Sequence, residues 1–341
     1  MTIDRQVTVS TGSRLHFGLL THRPKSGREF GGVGVMIDSP GWTVTASATN
    51  DISGADSDRI VVADSAAAAC PETESRVSRI VERFRQLPDA NVPALNLSVT
   101  SAIPSHRGLG SGTQLALATA RAINDCLDLG PASASELAEL TGRGLRSAVG
   151  TWGFEAGGLI VDGGKLEADS VGSMAARLEF PSDWRFLLIF PQNFNGLSGD
   201  EEVTAFRDLP GMPQETTDAL CRLTAMEILP AIQNQDFNRA AAALAEYGFE
   251  AGEYFAPAQG GVFIDPRMQE FSRLLAENGI EGFAQTSWGP TCAALCRDDE
   301  MARQAIEVIQ SSTEASHYQF AIARPLNGGA TVETSESSTN C

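Results

Sequence analysis

Two spacings of apolar residues divide the chain into strands and helices. Apolar and polar residues alternate around Val7 and Val9 and again over residues 42–49, as in half-buried strands. Over residues 72–87 the apolar residues recur at helical spacing, and Pro88 follows them. The same patterns predict a helix that begins near residue 111, helices at 135–142, 215–232, 237–251, 266–278 and 299–311, and strands at 95–99, 186–190, 282–287, 291–296 and 317–323.

A change in composition around residues 165–183 separates two halves of the chain. Strands come before helices in the first half, whereas strands and helices alternate in the second, which suits helices packed on one face of an antiparallel sheet. We therefore expect an α+β protein with two domains, residues 1–170 and 171–329. Residues 330–341 are polar and lack periodicity, which is typical of a disordered tail.

Composition argues against several classes of function. The 341 residues include 43 Asp and Glu against 25 Lys and Arg, a net charge of −18, whereas general nucleic-acid binders need basic patches. No apolar run approaches the ~18 residues that cross a bilayer, and the first residues do not resemble a signal segment. We expect a soluble, cytoplasmic protein that binds neither nucleic acid nor membrane. The spacing of the six cysteines and four histidines supports neither a disulfide framework nor a zinc site.

A glycine-rich turn at residues 103–118 carries the strongest chemical signal. It follows the strand at 95–99 and opens a helix, and its glycines let the backbone turn sharply and approach a ligand. The first N–H groups of the helix would then face an anion, which the helix dipole favours. The turn predicts a cradle for phosphate or pyrophosphate, although a plain strand-to-helix turn is the alternative; it is neither a Walker A loop nor a dinucleotide fingerprint. The residues expected to hold the anion are Gly108, Gly110, Ser111, Gly112, Thr113 and Gln114.

This turn resembles the Pro-x-x-x-Gly-Leu-Gly-Ser-Ser phosphate loop of the GHMP kinase superfamily. Residues 11–20 stand where those proteins carry their first motif, and residues 285–294 resemble their third, glycine-rich motif. Six blocks in the same order resemble one branch, the β-ribofuranosylaminobenzene 5′-phosphate synthase family. These blocks begin at Arg14, Phe30, Gly108, Gly142, Phe154 and Tyr254. The resemblance spans roughly residues 5–326.

The resemblance implies a GHMP-kinase-like fold of two domains, the first with the phosphate loop and the second ferredoxin-like. It also implies a reaction that joins 5-phosphoribosyl 1-pyrophosphate to a para-substituted benzoate, either 4-aminobenzoate or 4-hydroxybenzoate, with release of pyrophosphate and CO2. That step begins the assembly of methanopterin-type one-carbon cofactors. Mg2+ is the implied cofactor, and a homodimer is the default expectation for the assembly.

Besides the glycine-rich turn, residues from three other parts of the chain are candidates for this chemistry. Arg14 and His16 alternate on one strand and so share a face, and we expect them to act catalytically together with Glu155. Ser111 and Thr113 would also contact Mg2+. Arginine suits phosphate because its fork contacts two oxygens at once. The remaining expected substrate contacts are Arg23, Arg28, Arg143, Arg146, Gln259, Gly260, Gly261 and Gly289.

Some of these residues also admit a structural role. Arg23 and Arg28 would serve in a solvated loop that balances local charge. Glu155, which we expect to be partly buried, would pair with a nearby arginine as readily as it would act in catalysis. Trp288 either stacks on an aromatic substrate or, as the stronger expectation, packs in the core.

Two absences favour a synthase over a kinase. Gly112 stands where the kinases' loop generally carries its second serine, and no Asp occurs between Asp128 and Asp162, where many of the kinases place a catalytic Asp. Because phosphoryl transfer can proceed without a base, an ATP-dependent GHMP small-molecule kinase stays open. A sugar- or nucleotide-binding regulator without activity is the other alternative.

Overall fold

Two β-sheets, each built mainly by one half of the chain, organise the fold. The computed structural model describes residues 3–48, 57–88, 91–192, 199–312 and 315–338, and the elements are given for these ranges. The strands are β1 (Ile3–Gly18), β2 (Gly32–Ala48), β3 (Arg59–Val62), β4 (Leu95–Ser101), β5 (Leu159–Asp162), β6 (Met174–Leu178), β7 (Arg185–Pro191), β8 (Gly282–Gln285), β9 (Cys292–Cys296), β10 (Tyr318–Ala323) and β11 (Thr331–Ser338). The helices are α1 (Asp64–Ala69), α2 (Thr73–Arg85), α3 (Ser111–Cys126), α4 (Ala134–Thr141), α5 (Val149–Ala156), α6 (Gly199–Asp208), α7 (Gln214–Arg222), α8 (Leu229–Gln233), α9 (Phe237–Gln259), α10 (Arg267–Glu277) and α11 (Asp299–Gln310). A π-helical turn, Leu223–Ile228, joins α7 to α8, and a 3-10 turn, Ala315–His317, precedes β10.

The first sheet supports the helix that follows the glycine-rich turn. Its strands run in the order β11-β1-β2-β4-β3, with β5 paired to the first residues of β2 and β6 paired to β5. All pairs are antiparallel except β3 with β4. Helix α3 packs on β1 and β2, and Leu115 and Leu117 share one buried core with Val7, Val9 and Val44. The turn is therefore held between a strand and a helix, as its sequence context predicts.

The second sheet has four antiparallel strands in the order β10-β7-β9-β8. Helices α6 to α10 lie between β7 and β8 along the chain, and α11 lies between β9 and β10. This is the βαββαβ arrangement of a ferredoxin-like domain, so that expectation is confirmed. Its core includes Leu187, Phe271, Cys292 and Cys296, and both cysteines are free thiols.

The C-terminal segment forms a strand, so the prediction of a disordered tail from residue 330 is wrong for the residues described. β11 pairs with β1, with Val332 opposite Val9 and Glu336 opposite Arg5. Most of its side chains are exposed, so it needs no hydrophobic alternation. Backbone hydrogen bonds to the open edge of β1 hold this strand, and amino-acid composition does not predict such bonds. The prediction for residues 339–341 lies outside the described residues.

The first sheet also extends past residue 170, where the sequence suggests a domain division. β6 pairs with β5, and the next strand, β7, belongs to the second sheet. The sheets therefore divide between residues 178 and 185, and β11 returns the chain to the first sheet.

Most helices lie within a few residues of their predicted positions. α4 begins with a capping box, for which the residues Ser133 and Glu136 have the usual spacing. The Glu136 N–H donates to Ser133 Oγ, and the Ser133 N–H donates to a Glu136 carboxylate oxygen. α9 runs on to Gln259, about two turns beyond its predicted end. Gly248 interrupts its apolar pattern because a Cβ there would lie 2.7 Å from the Cβ of Ala284. Helices α5 and α6 were not predicted, and none of the described helices has the length and apolar character needed to cross a membrane.

Candidate active site

A cavity of about 300 Å3 lies where the two domains meet. From the first domain, β1 contributes Arg14 and His16, the first turn of α3 contributes Thr113, and the segment after α4 contributes Arg143 and Arg146. Helices α6 and α9 and the turn after β8 form the rest of its wall. Residues that are far apart in sequence therefore converge on one space, as in most small-molecule sites.

Cationic and aromatic side chains share the wall of this cavity. The cations are Arg14, Arg143 and Arg146, and the aromatic rings are Phe17 and a group of three, Phe206, Phe255 and Trp288. Within the described ranges, no Asp or Glu lines it. In a chain with a net charge of −18, this is a local reversal of charge, and it favours an anionic ligand that also carries an apolar ring.

The three rings pack on one another beside a guanidinium group. The centroid of Phe206 lies 5.0 Å from that of Trp288 and 5.9 Å from that of Phe255, and Arg146 lies 4.8 Å above the Phe206 ring. Trp288 is buried, and its Nε1–H finds no hydrogen-bond partner in the described part of the chain. A buried, unpaired N–H is costly, so this donor is suited to a ligand. Trp288 packs in a small apolar core, as the stronger expectation states, and it also lines the cavity, while stacking on a substrate ring stays a prediction.

The glycine-rich turn meets the cavity through the start of α3. Gly110 ends the turn at φ 74°, and its carbonyl accepts hydrogen bonds from the N–H groups of Thr113 and Gln114 at 3.1 and 3.0 Å. The amides of Ser111 and Gly112 have no hydrogen-bond partner among the described residues. These two donors at a helix N-terminus suit an anion.

Two side chains of the turn are structural, contrary to prediction. Ser111 is buried and its hydroxyl donates to the carbonyl of Ile103 at 2.9 Å. Gln114 is fully buried and accepts a hydrogen bond from the Thr11 hydroxyl at 2.7 Å. Neither lines the cavity, whereas the side chain of Thr113 does. The predicted metal contact of Ser111 is therefore wrong, because its hydroxyl is committed to an internal partner. The Gln114 N–H, which was expected to face the anion, instead donates to the Gly110 carbonyl.

Two glycines of the turn, Gly108 and Gly110, make room for protein rather than for a ligand. A Cβ on Gly110 would lie 2.7 Å from Cγ of Arg14, and one on Gly108 would lie 2.2 Å from the carbonyl oxygen of Thr286. A Cβ on Gly289 would lie 2.2 Å from the Gly108 nitrogen. The turn is thus clamped between β1 and the segment after β8. Gly108 and Gly289 do not line the cavity, so their expected substrate contacts are replaced by contacts with each other.

Arg14 and His16 share one face of β1, as predicted, and both line the cavity. Arg14 Nη1 donates to the carbonyl of Gly108 at 2.8 Å, so the side chain also positions the turn. His16 is buried, and its Nε2 lies 3.1 Å from the hydroxyl of Ser147. Burial, followed by the nearby charge of Arg14, holds the pKa of His16 well below its usual value. His16 is therefore neutral at pH 7 and acts as a hydrogen-bonding group rather than as a cation.

Arg143 and Arg146 come from the segment between α4 and α5, which turns at Gly144 with φ 75°. Burial is the main cause that lowers the pKa of Arg143, and three arginines of α2 add to it. Its Nε has no hydrogen-bond partner within the described ranges. The structure thus brings both predicted arginines to the cavity.

Glu155 lies away from this chemistry, and the expectation that it is partly buried is wrong. Its side chain is exposed on α5, and one carboxylate oxygen accepts a hydrogen bond from the Ala134 N–H at 2.9 Å. It therefore caps the start of α4, where a negative charge opposes the helix dipole favourably. Asp162, the next acid along the chain, is buried and accepts from the N–H groups of Ala148 and Gly164, which is a structural role.

Arg23 and Arg28 do not reach the cavity either, so their expected substrate contacts are wrong. Arg23 is exposed and donates to the carbonyls of Arg207 and Leu209, both at 3.2 Å. Arg28 donates to the Gly164 carbonyl at 2.9 Å and pairs with an Asp at 3.3 Å. Both hold backbone segments together, in line with the structural alternative.

Of the three substrate contacts expected at the end of α9, one lines the cavity. Gln259 lines the cavity, and its Nε2 donates to the carbonyls of Gly261 and Val262. Gly260 and Gly261 do not line it, because Gly260 ends α9 at φ 90° and turns the chain away. Their expected substrate contacts are therefore not supported.

The cavity residues that were not singled out from the sequence include Phe206, Phe255, Ser147 and Ser287. Ser147 closes the block that begins at Gly142, so the resemblance contains a signal for it. Phe206 and Phe255 lie at core-like positions of helices, where an apolar pattern does not separate a cavity wall from an interior.

Among the described residues, the cavity does not provide a resident magnesium site. These residues contain no cluster of three His, Cys, Asp or Glu that could hold a metal. Mg2+ in proteins is usually held by one or two carboxylates together with substrate phosphates, and no carboxylate of a described residue lines the wall. The side chains that the structure describes therefore do not fit this ion.

Comparison with known proteins identifies the family. Residues 75–153 match the family described as GHMP kinases N terminal domain. The chain is 30% identical over 306 residues to a protein named β-ribofuranosylphenol 5′-phosphate synthase from Methanothermobacter thermautotrophicus, with 84% of this chain and 87% of that protein covered. A protein of the same name from Archaeoglobus fulgidus is 32% identical over 258 residues, with 71% and 76% covered. This chain belongs to the β-ribofuranosylphenol 5′-phosphate synthase family of enzymes.

Solved structures agree on the fold of this synthase-family chain. Mevalonate diphosphate decarboxylase from Staphylococcus aureus superimposes with a TM-score of 0.67 at 15% identity, over 97% of this chain and 98% of that one. The GHMP-kinase-like α+β fold and the family resemblance are thereby confirmed.

Proposed function

We propose that this enzyme transfers the phosphoribosyl group of 5-phosphoribosyl 1-pyrophosphate to 4-hydroxybenzoate and releases pyrophosphate and CO2. The relatives' name, which ends on a phenol product, supports 4-hydroxybenzoate over 4-aminobenzoate as the acceptor. The observation that carries the proposal is one cavity with three arginines, four phenyl or indole rings and, among the described residues, no carboxylate. A phosphorylated donor needs the arginines, and a benzoate needs an apolar wall for its ring and an arginine for its carboxylate.

The reaction balances without a general base. The C1–oxygen bond of the donor breaks, and its electron pair leaves with pyrophosphate. The ring carbon that bears the carboxylate attacks C1. The bond to the carboxylate carbon then breaks, its electrons return to the ring, and CO2 leaves. Because no proton has to be removed, a cavity with a neutral His16 and no acid among its described lining residues is adequate.

Charge stabilisation at the leaving group is the main catalytic contribution under this proposal. Arg14 and Arg143, with Thr113 at the start of α3, hold the diphosphate and oppose the charge that develops on it. These groups are already in place, so little reorganisation is needed as the bond breaks.

The aromatic wall is the proposed acceptor site. The benzoate ring packs against Phe206 and Phe255, and its carboxylate lies near Arg146 until CO2 departs. The unpaired Nε1–H of Trp288 is a donor for the polar groups of the acceptor. Arg324, whose guanidinium group would also suit a carboxylate, does not line the cavity.

Since the wall does not fit a resident metal, we propose that Mg2+ enters with the diphosphate as part of the substrate. We further propose that the protein works in the cytoplasm, at the first committed step toward a methanopterin-type cofactor.

The test uses purified protein with Mg2+, the donor and carboxyl-labelled 4-hydroxybenzoate, with 4-aminobenzoate in a parallel reaction. Pyrophosphate and labelled CO2 should appear in equal amounts, and ATP should neither accelerate the reaction nor yield ADP. A matched reaction with benzoate, which lacks the para oxygen that stabilises positive charge in the ring, should release far less CO2. ADP formed from ATP and a small alcohol, without CO2 release, would establish the kinase alternative instead.

A further inference from the structure

A second cavity, of about 70 Å3, lies beside the first turn of α3. The two cavities reach this turn at neighbouring residues, since Thr113 lines the large one and Gly112 lines the small one. Arg143 lines both. The small cavity is therefore next to the proposed donor site rather than remote from it.

Four arginines line the small cavity, and they are called the arginine cluster below: Arg76, Arg79, Arg83 and Arg143. The first three recur at positions i, i+3 and i+7 of α2, so they share one face of that helix. Arg143 approaches from the segment after α4. In a chain with 43 acidic and 25 basic residues, this concentration of positive charge is local and specific.

The guanidinium groups converge on two glycines. A Cβ on Gly112 would lie 3.4 Å from Nη1 of Arg143 and 3.5 Å from Nη1 of Arg76. A Cβ on Gly142 would lie 3.3 Å from Nη2 of Arg83. Because neither glycine carries a side chain, the space between these groups stays open.

The cluster is short of negative partners. Arg76 pairs with Glu72, whereas Arg79 and Arg83 donate to the carbonyls of Ser75 and Leu140. Arg143 has no ion pair with a described residue, and its buried Nε lacks a hydrogen-bond partner there. Like charges held this close repel one another unless an anion lies between them.

The chemistry of the cluster selects one kind of anion. A phosphate group matches the fork geometry of arginine. Four guanidinium groups repel a divalent cation, so a diphosphate that carries Mg2+ is disfavoured here. The small volume also suits a single phosphate group. A phosphate monoester without metal satisfies both conditions.

We propose that the arginine cluster binds the 5-phosphate of the donor, while the diphosphate lies in the large cavity at the start of α3. This inference rests on the proposed function, because it assigns the second phosphate end of that same donor. Arg143, which lines both cavities, contacts both ends and so aligns the ribose between them.

Calorimetric titration of the full-length protein with two probes, ribose 5-phosphate and pyrophosphate, tests the assignment. Arg79→Gln/Arg83→Gln should weaken the binding of ribose 5-phosphate by about tenfold or more and change that of pyrophosphate by less than about threefold, since charge-assisted bonds are lost at one site only. Arg239→Gln, which removes an exposed arginine from α9, is the matched control and should change neither affinity. Melting temperatures should not fall, because the double variant relieves repulsion. The single variant Arg83→Gln provides a second, milder comparison.

Three outcomes would overturn the inference. Pyrophosphate could lose as much affinity as ribose 5-phosphate, both affinities could stay unchanged in the folded variants, or the wild-type protein could fail to bind ribose 5-phosphate at millimolar concentration. Product release by the wild-type protein is measured separately. Turnover with unchanged variant binding rejects the cluster alone, whereas cluster-dependent binding without turnover rejects the proposed function alone.

Discussion

Two sets of arginines in the N-terminal domain differ in what their guanidinium groups contact. Arg143 and Arg146 line the cavity, one beside unpaired helix amides and the other over an aromatic ring. Arg23 and Arg28 instead donate to backbone carbonyls of distant segments and are exposed. All four lie in glycine-rich, polar stretches of sequence.

The difference shows what makes an arginine a binding residue. The carbonyls near Arg23 and Arg28 already satisfy part of their donor capacity, so these side chains fasten loops. Arg143 is partly buried next to other cations and keeps a buried Nε without a partner in the described chain. Such a group is stable when an anion completes its surroundings.

The largest expected effect comes from Arg143, which lines both cavities. Arg143→Gln should lower kcat/KM by about 100-fold or more, or about 2.7 kcal/mol, because both phosphate ends of the donor lose a charged partner. Steady-state pyrophosphate release and thermal melting of the same preparation measure this. A folded variant with normal kcat/KM would remove the distinction between the two sets of arginines.

Gly110→Ala tests whether Arg14 must sit against the turn. The substitution places a Cβ at φ 74°, 2.7 Å from Cγ of Arg14, and should lower the free energy of unfolding by about 1–3 kcal/mol and weaken pyrophosphate binding. Gly130→Ala is the matched control, since Gly130 has φ 93° and nothing within 4 Å of its added Cβ. The control should lose stability only. Equal pyrophosphate binding by both variants would contradict a role for the contact between Arg14 and the turn.

His16 makes stability depend on pH, because burial and, to a lesser extent, the nearby charge of Arg14 keep it neutral. Its pKa in the folded protein is well below the usual value, so on acidification the unfolded chain takes up a proton that the folded protein does not. At pH 5.5, about one unit below the pKa of an unfolded histidine, this costs about 1.4 kcal/mol of stability, and the loss fades above pH 7. Urea unfolding of wild type and His16→Asn at pH 7 and 5.5 measures the difference. An identical loss in both proteins would show that His16 is not responsible.

Substitution of Arg28, which belongs to the arginines that fasten loops, should give the smallest effect. Arg28→Gln removes a partly exposed ion pair and a bond to the Gly164 carbonyl, so the free energy of unfolding should fall by no more than about 1 kcal/mol. Because the side chain does not reach the cavity, kcat/KM should stay within about twofold of wild type. A loss comparable to that of Arg143→Gln would return Arg28 to the substrate site.

Local signals along the chain were enough for several parts of this molecule. The glycine-rich turn lies between β4 and α3, Arg14 and His16 share a face of β1, and α4 starts with its capping box. Each depends on residues only a few positions apart, whose geometry the backbone dictates. The resemblance of six short blocks to one family added the fold.

Other parts depend on partners that are far away along the chain. Arg28 meets a carbonyl 136 residues away, and β11 finds its place on β1 from the opposite end of the chain. Glu155 looked like a buried carboxylate beside arginines but is exposed and caps α4. No local pattern contains these pairings, because they arise only when the sheets assemble.

The sequence by itself therefore determined the two α+β halves and the helix start after the glycine-rich turn, since short-range periodicity and backbone geometry carry that information, and its short motifs indicated the family by resemblance. Only the tertiary structure decided which cations face the cavity and which fasten loops. It also decided that the arginines of α2 lie beside Gly112, and that Ser111 and Gln114 point into the protein. The physical reason is that the partners of a polar side chain, rather than its type, set its role, and those partners are brought together by packing.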